Sequence, residues 1–160
     1  MKHTYLKGLT FGVASGIVTT LGLMVGLYSG THSTLAVLGG ILTIAIADAM
    51  SDAFGMHLSE ESSAHNNHPE IRESMIATFM AKLIIALTFA VPVVLLNLKL
   101  AIFVSFAWGL FLLGIISLTI AGWRKEPKIH AIAEHWGIAT AVVIISYYVG
   151  VLIDKVFGNI

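Results

Sequence analysis

Five long apolar segments limit what this chain can fold into more than any other feature of its sequence. At 1.5 Å per residue, a helix over any of them can cross the roughly 30 Å hydrocarbon core of a bilayer. Each must be helical there, because lipid offers no partners for backbone N–H and C=O groups. The segments are residues 8–29, 35–58, 75–97, 99–121 and 130–153.

The composition supports the same assignment. The chain is 57% hydrophobic and 11% charged, whereas soluble domains carry about 25% charged residues. We predict an all-α fold, a polytopic membrane bundle of five transmembrane helices in which residues 1–160 form a single membrane domain. The formal net charge is zero, so the chain lacks the basic surface that a nucleic-acid partner requires. It has no cysteine, which excludes disulfides and thiolate metal sites.

The positively charged residues are distributed unevenly between the two sides of the predicted bundle. Because positive residues concentrate in cytoplasmic loops, this distribution predicts a cytoplasmic N-terminus and a C-terminus outside. One side carries Lys2, Lys7, Arg72, Lys82, Arg124, Lys125 and Lys128, and the other carries Lys99 and Lys155.

Two aspartates lie four residues apart in the second apolar segment, where a carboxylate is costly and usually functional. Helical spacing puts Asp48, Asp52, Met56 and Glu60 on one stripe, with the two aspartates about 6 Å apart. Two carboxylates this close in a low dielectric cannot both ionise cheaply, so one holds a proton unless a cation is present. Competition between cation and proton is the requirement for proton-coupled cation exchange. Met56 is either a ligand for softer metals or an apolar packing residue.

The first segment contains glycines at four-residue spacing, which let helices approach closely in lipid. We expect these glycine faces to pack within the bundle or across a homodimer interface. Ser15 and Thr19 add hydroxyl oxygens that can line a pore. The two glycine sets are Gly8, Gly12 and Gly16, and Gly22 and Gly26.

A polar stretch at about residues 59–74 is predicted as a cytoplasmic loop. Its carboxylates and imidazoles suit Mn²⁺, Fe²⁺, Co²⁺ or Zn²⁺, so it is either a metal-collecting vestibule or a solvated loop. We assign metal capture to Glu60, Glu61 and Glu73; the other carboxylate and imidazole residues of the stretch are His65, His68 and Glu70.

Four further ionisable residues, one in the third segment and three in the fifth, leave two interpretations open at each place. Lys82, in the third segment, either pairs with Asp48 or Asp52 or extends its ammonium to the headgroups. His130 and Glu134 share one face of the fifth segment, while His135 is rotated off it. They form either a second ligand cluster or an ordinary interfacial helix start.

The sequence contains none of the common catalytic motifs: no nucleophile elbow, P-loop or His-Glu-x-x-His. We therefore predict that the protein is not an enzyme, with a membrane metalloenzyme as a distant alternative. Two other classes stay open, a passive cation channel and a non-transporting membrane subunit that binds a partner.

Two motifs resemble the vacuolar iron transporter family. They are Gly12-Val13-Ala14-Ser15-Gly16-Ile17-Val18-Thr19-Thr20-Leu21 and Ala49-Met50-Ser51-Asp52-Ala53-Phe54-Gly55-Met56-His57-Leu58-Ser59. Ser146-Tyr147-Tyr148-Val149-Gly150 and Pro92 are similar to later parts of that family. The resemblance implies five spans, a homodimer with its pore between the first and second spans, and Fe²⁺ or Mn²⁺ export coupled to protons. It also implies a short prokaryotic-type member, a multi-pass protein of a prokaryotic cell membrane.

The chain departs from the family pattern at three points. Ser15 stands where the family has an aspartate, and Asp52 stands where it has a methionine, so the pore-facing acid has moved between helices and the site is tilted towards Mn²⁺. The family's long cytoplasmic metal-binding domain is reduced to the short stretch 59–74. We expect no resident cofactor, because the metal is cargo. The predicted metal residues are Asp48, Asp52, Met56, Glu60, Glu61, Glu73, Ser15 and Thr19.

Overall fold

The computed structural model describes residues 2–63, 67–125 and 127–158, and over these ranges it is a bundle of five α-helices. All five helices are long and apolar enough to cross a membrane. The predicted all-α bundle and its five spans are therefore confirmed, and the chain has the character of a multi-pass membrane protein. The helices are α1 (Lys2–Thr31), α2 (Thr34–Glu61), α3 (His68–Leu95), α4 (Leu98–Arg124) and α5 (Lys128–Phe157).

Helix α1 lies at the centre and packs against all four others. From Gly8 to Gly16, α1 contacts residues of increasing number along α3, and from Gly22 to Gly30 it contacts residues of increasing number along α5. Helices α1, α3 and α5 therefore run parallel. Helices α2 and α4 run the opposite way. We call the end where α1 begins the N-terminal end of the bundle, and the end where α5 finishes its C-terminal end. The apolar core includes Ile17, Leu21, Met24, Ile41, Phe89 and Leu113.

Short polar turns end and restart the helices. His32 adopts a left-handed conformation (φ 50°) after α1, and the Ser33 hydroxyl caps α2 by accepting from the Ala36 N–H at 3.2 Å. The Asn67 and Asn97 side chains cap α3 and α4 in the same way. These caps satisfy N–H groups that would otherwise have no partner at the helix starts.

The glycines of α1 pack against other helices of the same bundle, which was one of the two predicted alternatives. A Cβ at Gly12 would meet the Thr78 carbonyl oxygen of α3 at 2.5 Å, and one at Gly22 would meet Val142 of α5 at 2.9 Å. Gly8 and Gly16 also face α3, and Gly26 faces α5. Helices α3 and α5 fill these faces and leave no room there for a second copy. The other alternative, a dimer interface on the α1 glycines, is therefore wrong.

The predicted loop at 59–74 is mostly helical. Helix α2 continues to Glu61 and α3 begins at His68, so only residues 62–67 connect them. Pro69, in the first turn of α3, fits there because it has no N–H to leave unpaired. His65 lies outside the described residues. Lys82 lies fourteen residues, about 21 Å, along α3 from its start.

Candidate functional site

A buried lysine forms the centre of the candidate site. The Lys82 side chain, halfway along α3, is only 2% exposed. Its Nζ lies 2.6 Å from Asp48 Oδ2 and donates to the Ser15 hydroxyl at 2.9 Å. It also pairs with Asp52 Oδ2. An ammonium has three N–H donors, and all three have an acceptor here. The pairing alternative for Lys82 is thus confirmed, and with both aspartates.

Residues near the middle of α1, α2 and α3 meet at this point. The Ser15 hydroxyl accepts from Lys82 and donates to Asp52 Oδ2 at 2.6 Å. Thr19, one turn along α1, donates to the Ser15 carbonyl at 2.8 Å, which fixes its own rotamer. We call Ser15, Asp48, Asp52 and Lys82 the central cluster. The predicted grouping of Ser15 with the two aspartates is therefore present, with Lys82 bound between them.

In the central cluster the negatively charged side chains are more exposed than the positively charged one. The Asp48 and Asp52 side chains are 31% and 21% exposed, whereas the ammonium is sealed. With both carboxylates ionised and Lys82 protonated, the cluster carries one net negative charge. An unpaired charge at this depth is costly, so Lys82 stabilises the pair of carboxylates from the buried side. The carboxylates keep an open side on which a cation can bind.

Asp48 lies in the wall of a groove between α1, α2 and α5. The groove has a volume of about 700 Å³ and continues from Asp48 and Thr19 to Gly150 and Ile153, towards the C-terminal end. It is lined mainly by apolar side chains. Sequence reasoning missed the contribution of α5 to this groove. The available signal was the four-residue spacing of Ser146 and Gly150, which face Gly26 and Gly30 of α1.

A second ion pair joins α1 to α2 nearer the N-terminal end of the bundle. Lys7 Nζ lies 2.6 Å from Glu60 Oε1. Lys7 and Glu60 are each eight residues, about 12 Å along a helix, from the Ser15–Asp52 hydrogen bond. The Glu60 side chain is 2% exposed and that of Lys7 is 54% exposed. We call this the end pair.

The other predicted metal residues are not gathered around one point. Glu61 is exposed and lies 3.7 Å from the His57 ring, and Glu73 is half-buried on α3. Met56 is a buried core residue of α2. Within residues 2–63, 67–125 and 127–158, no three His, Asp or Glu side chains lie close enough together to hold a metal ion. The oxygen donors available at one place are Asp48, Asp52 and Ser15.

The ionisable residues of α5 do not converge on the site. His130 and Glu134 are exposed, which agrees with an interfacial helix start. His135 Nδ1 lies 2.7 Å from the buried Ser117 hydroxyl of α4. Ser117 already donates its own proton to the Leu113 carbonyl at 2.5 Å, so its oxygen accepts from His135 Nδ1–H. This bond joins α4 to α5.

The sequence matches neither a model of a known protein family nor any curated protein. The chemistry of the site therefore rests on its own geometry. That geometry is a pair of half-exposed carboxylates in mid-bundle, neutralised in part by a single buried ammonium.

Proposed function

We propose that this protein exports a divalent transition-metal cation, Fe²⁺ or Mn²⁺, in exchange for protons. One observation carries the proposal: the Asp48 and Asp52 side chains are partly exposed, with Asp48 in the wall of the groove, while their counter-ion Lys82 is buried. A cation that reaches the open side competes with Lys82 for the same oxygens. Carboxylate and hydroxyl oxygens suit Mn²⁺ and related hard ions. The choice of Fe²⁺ or Mn²⁺ follows from the family resemblance of the first two spans.

Charge balance gives the coupling between metal and proton. When a dication binds Asp48 and Asp52, the Lys82 ammonium loses its counter-ions while still surrounded by protein. A buried ammonium without a partner is costly, so in the proposed cycle binding of the dication is coupled to loss of one proton from the cluster. The cluster then holds two carboxylates, a neutral amine and a dication, with no net charge. At least one proton is therefore exchanged for each cation bound.

Export as the direction of transport follows from the family resemblance, and the predicted orientation puts the N-terminal end in the cytoplasm. The end pair then lies on the cytoplasmic side of the central cluster, and the groove leads from Asp48 to the outside. Glu60 contributes to cation capture only after its contact with Lys7 opens, whereas the exposed Glu61 is accessible at once. Glu73 joins them as a third capture residue on α3.

A homodimer is part of the proposal, with the ion path beside the first and second spans. The α1 glycine faces are filled, so the second copy must use other surfaces. The exposed face of α2, with Ile46, Met50 and Phe54, is not covered by the other described helices, and we place the second copy there. Because the chain has no cysteine, Met50→Cys should form a disulfide-linked dimer in the membrane. The control Ile115→Cys, on the exposed face of α4, should stay monomeric, and equal crosslinking of both variants would contradict the α2 interface.

Metal-driven proton flux tests the transport proposal directly. Purified protein in liposomes with an internal pH-sensitive dye should give a pH change when Mn²⁺ or Fe²⁺ is added outside. Asp52→Asn should abolish the signal, because it removes the negative charge of one of the two carboxylates while keeping the shape of the side chain. Asp154→Asn, an exposed carboxylate near the end of α5, should behave like the unsubstituted protein. Unchanged flux in Asp52→Asn would remove the central cluster from the mechanism.

Lys82→Arg separates exchange from passive conduction. Arginine keeps the positive charge but does not release a proton in proteins, so metal-driven proton flux should disappear. A passive channel would move metal without any proton signal in the unsubstituted protein, and a non-transporting subunit would move neither. Either result would replace the antiport proposal.

A further inference from the structure

A second cavity lies between α1, α4 and α5, apart from the central cluster and its groove. Its volume is about 580 Å³, which is within the range of about 300–1,000 Å³ that small-molecule sites occupy. Its inner wall is apolar and aromatic, with Val25, Phe103, Phe106 and Val143 among the lining residues. Water finds few partners on such a wall. The natural occupant of the inner part is therefore a hydrocarbon chain.

The polar residues of this cavity lie near the C-terminal end of the bundle. Lys99 is the second residue of α4, and Tyr28 is one turn from the end of α1. Tyr147 and Tyr148 of α5 also line the cavity. Gly150 packs against Gly30, the last residue but one of α1, so these tyrosines lie about one turn inside the end of α1. Tyrosines at this depth place their hydroxyls at the headgroup level.

Lys99 supplies the charge at this cavity. Of the described residues that line it, Lys99 is the charged one. No carboxylate in the described part of the chain forms an ion pair with it. Its aliphatic stem can cover apolar surface while its ammonium reaches the headgroup layer. A positive charge above an apolar cavity is complementary to a lipid with a negative headgroup.

We propose that this cavity binds one phospholipid with an anionic headgroup. An acyl chain fills the apolar part between α4 and α5, the lipid phosphate pairs with the Lys99 ammonium, and the tyrosine hydroxyls donate to headgroup oxygens. The site does not depend on the proposed transport function, because none of its residues belongs to the central cluster. It gives the α4–α5 side of the bundle a specific lipid partner.

Native mass spectrometry of the full-length protein, with phosphatidylglycerol or phosphatidylcholine added to the detergent, tests the proposal. The protein should retain one phosphatidylglycerol about fivefold more strongly than phosphatidylcholine, the factor expected for one lysine at a membrane surface. Lys99→Gln should remove this preference. Lys155→Gln, which changes the other lysine at the same end, should leave it intact.

Filling the cavity provides a second variant with a different readout. Val143→Phe adds volume to the wall and should lower the retention of both lipids, whereas Lys99→Gln lowers that of the anionic lipid alone. Equal retention of the two lipids by the unsubstituted protein would overturn the proposal. So would equal losses in Lys99→Gln and Lys155→Gln, because the binding would then reflect general surface charge.

Discussion

The central cluster and the end pair are both formed by a lysine ammonium and carboxylates, but the exposed partner differs between them. In the central cluster the ammonium is sealed and the carboxylates are half-exposed, whereas in the end pair the carboxylate is sealed and the ammonium is exposed. Both lie along one α1–α2 contact, eight residues apart on each helix. The central cluster therefore presents negative charge to its opening, and the end pair presents positive charge to its surroundings.

This difference indicates separate roles for the two sites. A cation is attracted to oxygens that it can reach, and those are on Asp48 and Asp52. Glu60 has its carboxylate buried and Lys7 over it, so the end pair fastens α1 to α2. Because the Lys82 ammonium is buried, the central cluster needs all of the acceptors that surround this ammonium. A buried charge without a partner is strongly destabilising.

Removing the central ammonium should give the largest effect on stability. Lys82→Met leaves Asp48 and Asp52 facing each other without a counter-ion, and loss of one partner of a buried ion pair costs about 3–5 kcal/mol. Unfolding in detergent micelles, followed by circular dichroism, should show this loss. The fully neutral variant Lys82→Met/Asp48→Asn/Asp52→Asn should recover most of it. A Lys82→Met protein as stable as the unsubstituted one would show that the ammonium is not needed to hold the carboxylates.

The general fold could be predicted from the sequence because lipid leaves the backbone few choices. Each apolar segment long enough to span must be helical, and the observed helices extend the predicted ones at most of their ends. The helical continuation through Glu60 and Glu61, and the early start at His68, could not be predicted from hydropathy. These turns are polar, and α2 is held there by the contact of Glu60 with Lys7 of another helix.

The central cluster was only partly predictable for a related reason. Helical periodicity places Asp48 and Asp52 on one face, but it does not say which helix that face meets. The parallel packing of α1 on α3 brings Lys82 to Ser15, and this packing depends on Gly8, Gly12 and Gly16 fitting against α3. The spacing of those glycines indicates close contact without naming the partner helix. For the same reason the dimer interface was wrongly placed on them.

Neutralising the buried carboxylate of the end pair should have a smaller effect. Glu60→Gln keeps the shape of the side chain and weakens its contact with Lys7 by removing the charge, which should cost about 1–3 kcal/mol of the free energy of unfolding. The neighbouring change Glu61→Gln, at an exposed position, should fall within about 0.5 kcal/mol of the unsubstituted protein. Thermal unfolding of both variants in the same detergent measures the difference. Equal effects would mean that burial does not distinguish these two glutamates.

Chemical labelling should distinguish the two lysines without changing stability at all. Lys7 is exposed and should react readily with an amine-acetylating reagent, whereas the sealed Lys82, bonded to three acceptors, should be protected. Peptide mapping by mass spectrometry reports both in one sample. Equal labelling of the two lysines would contradict the sealed ammonium.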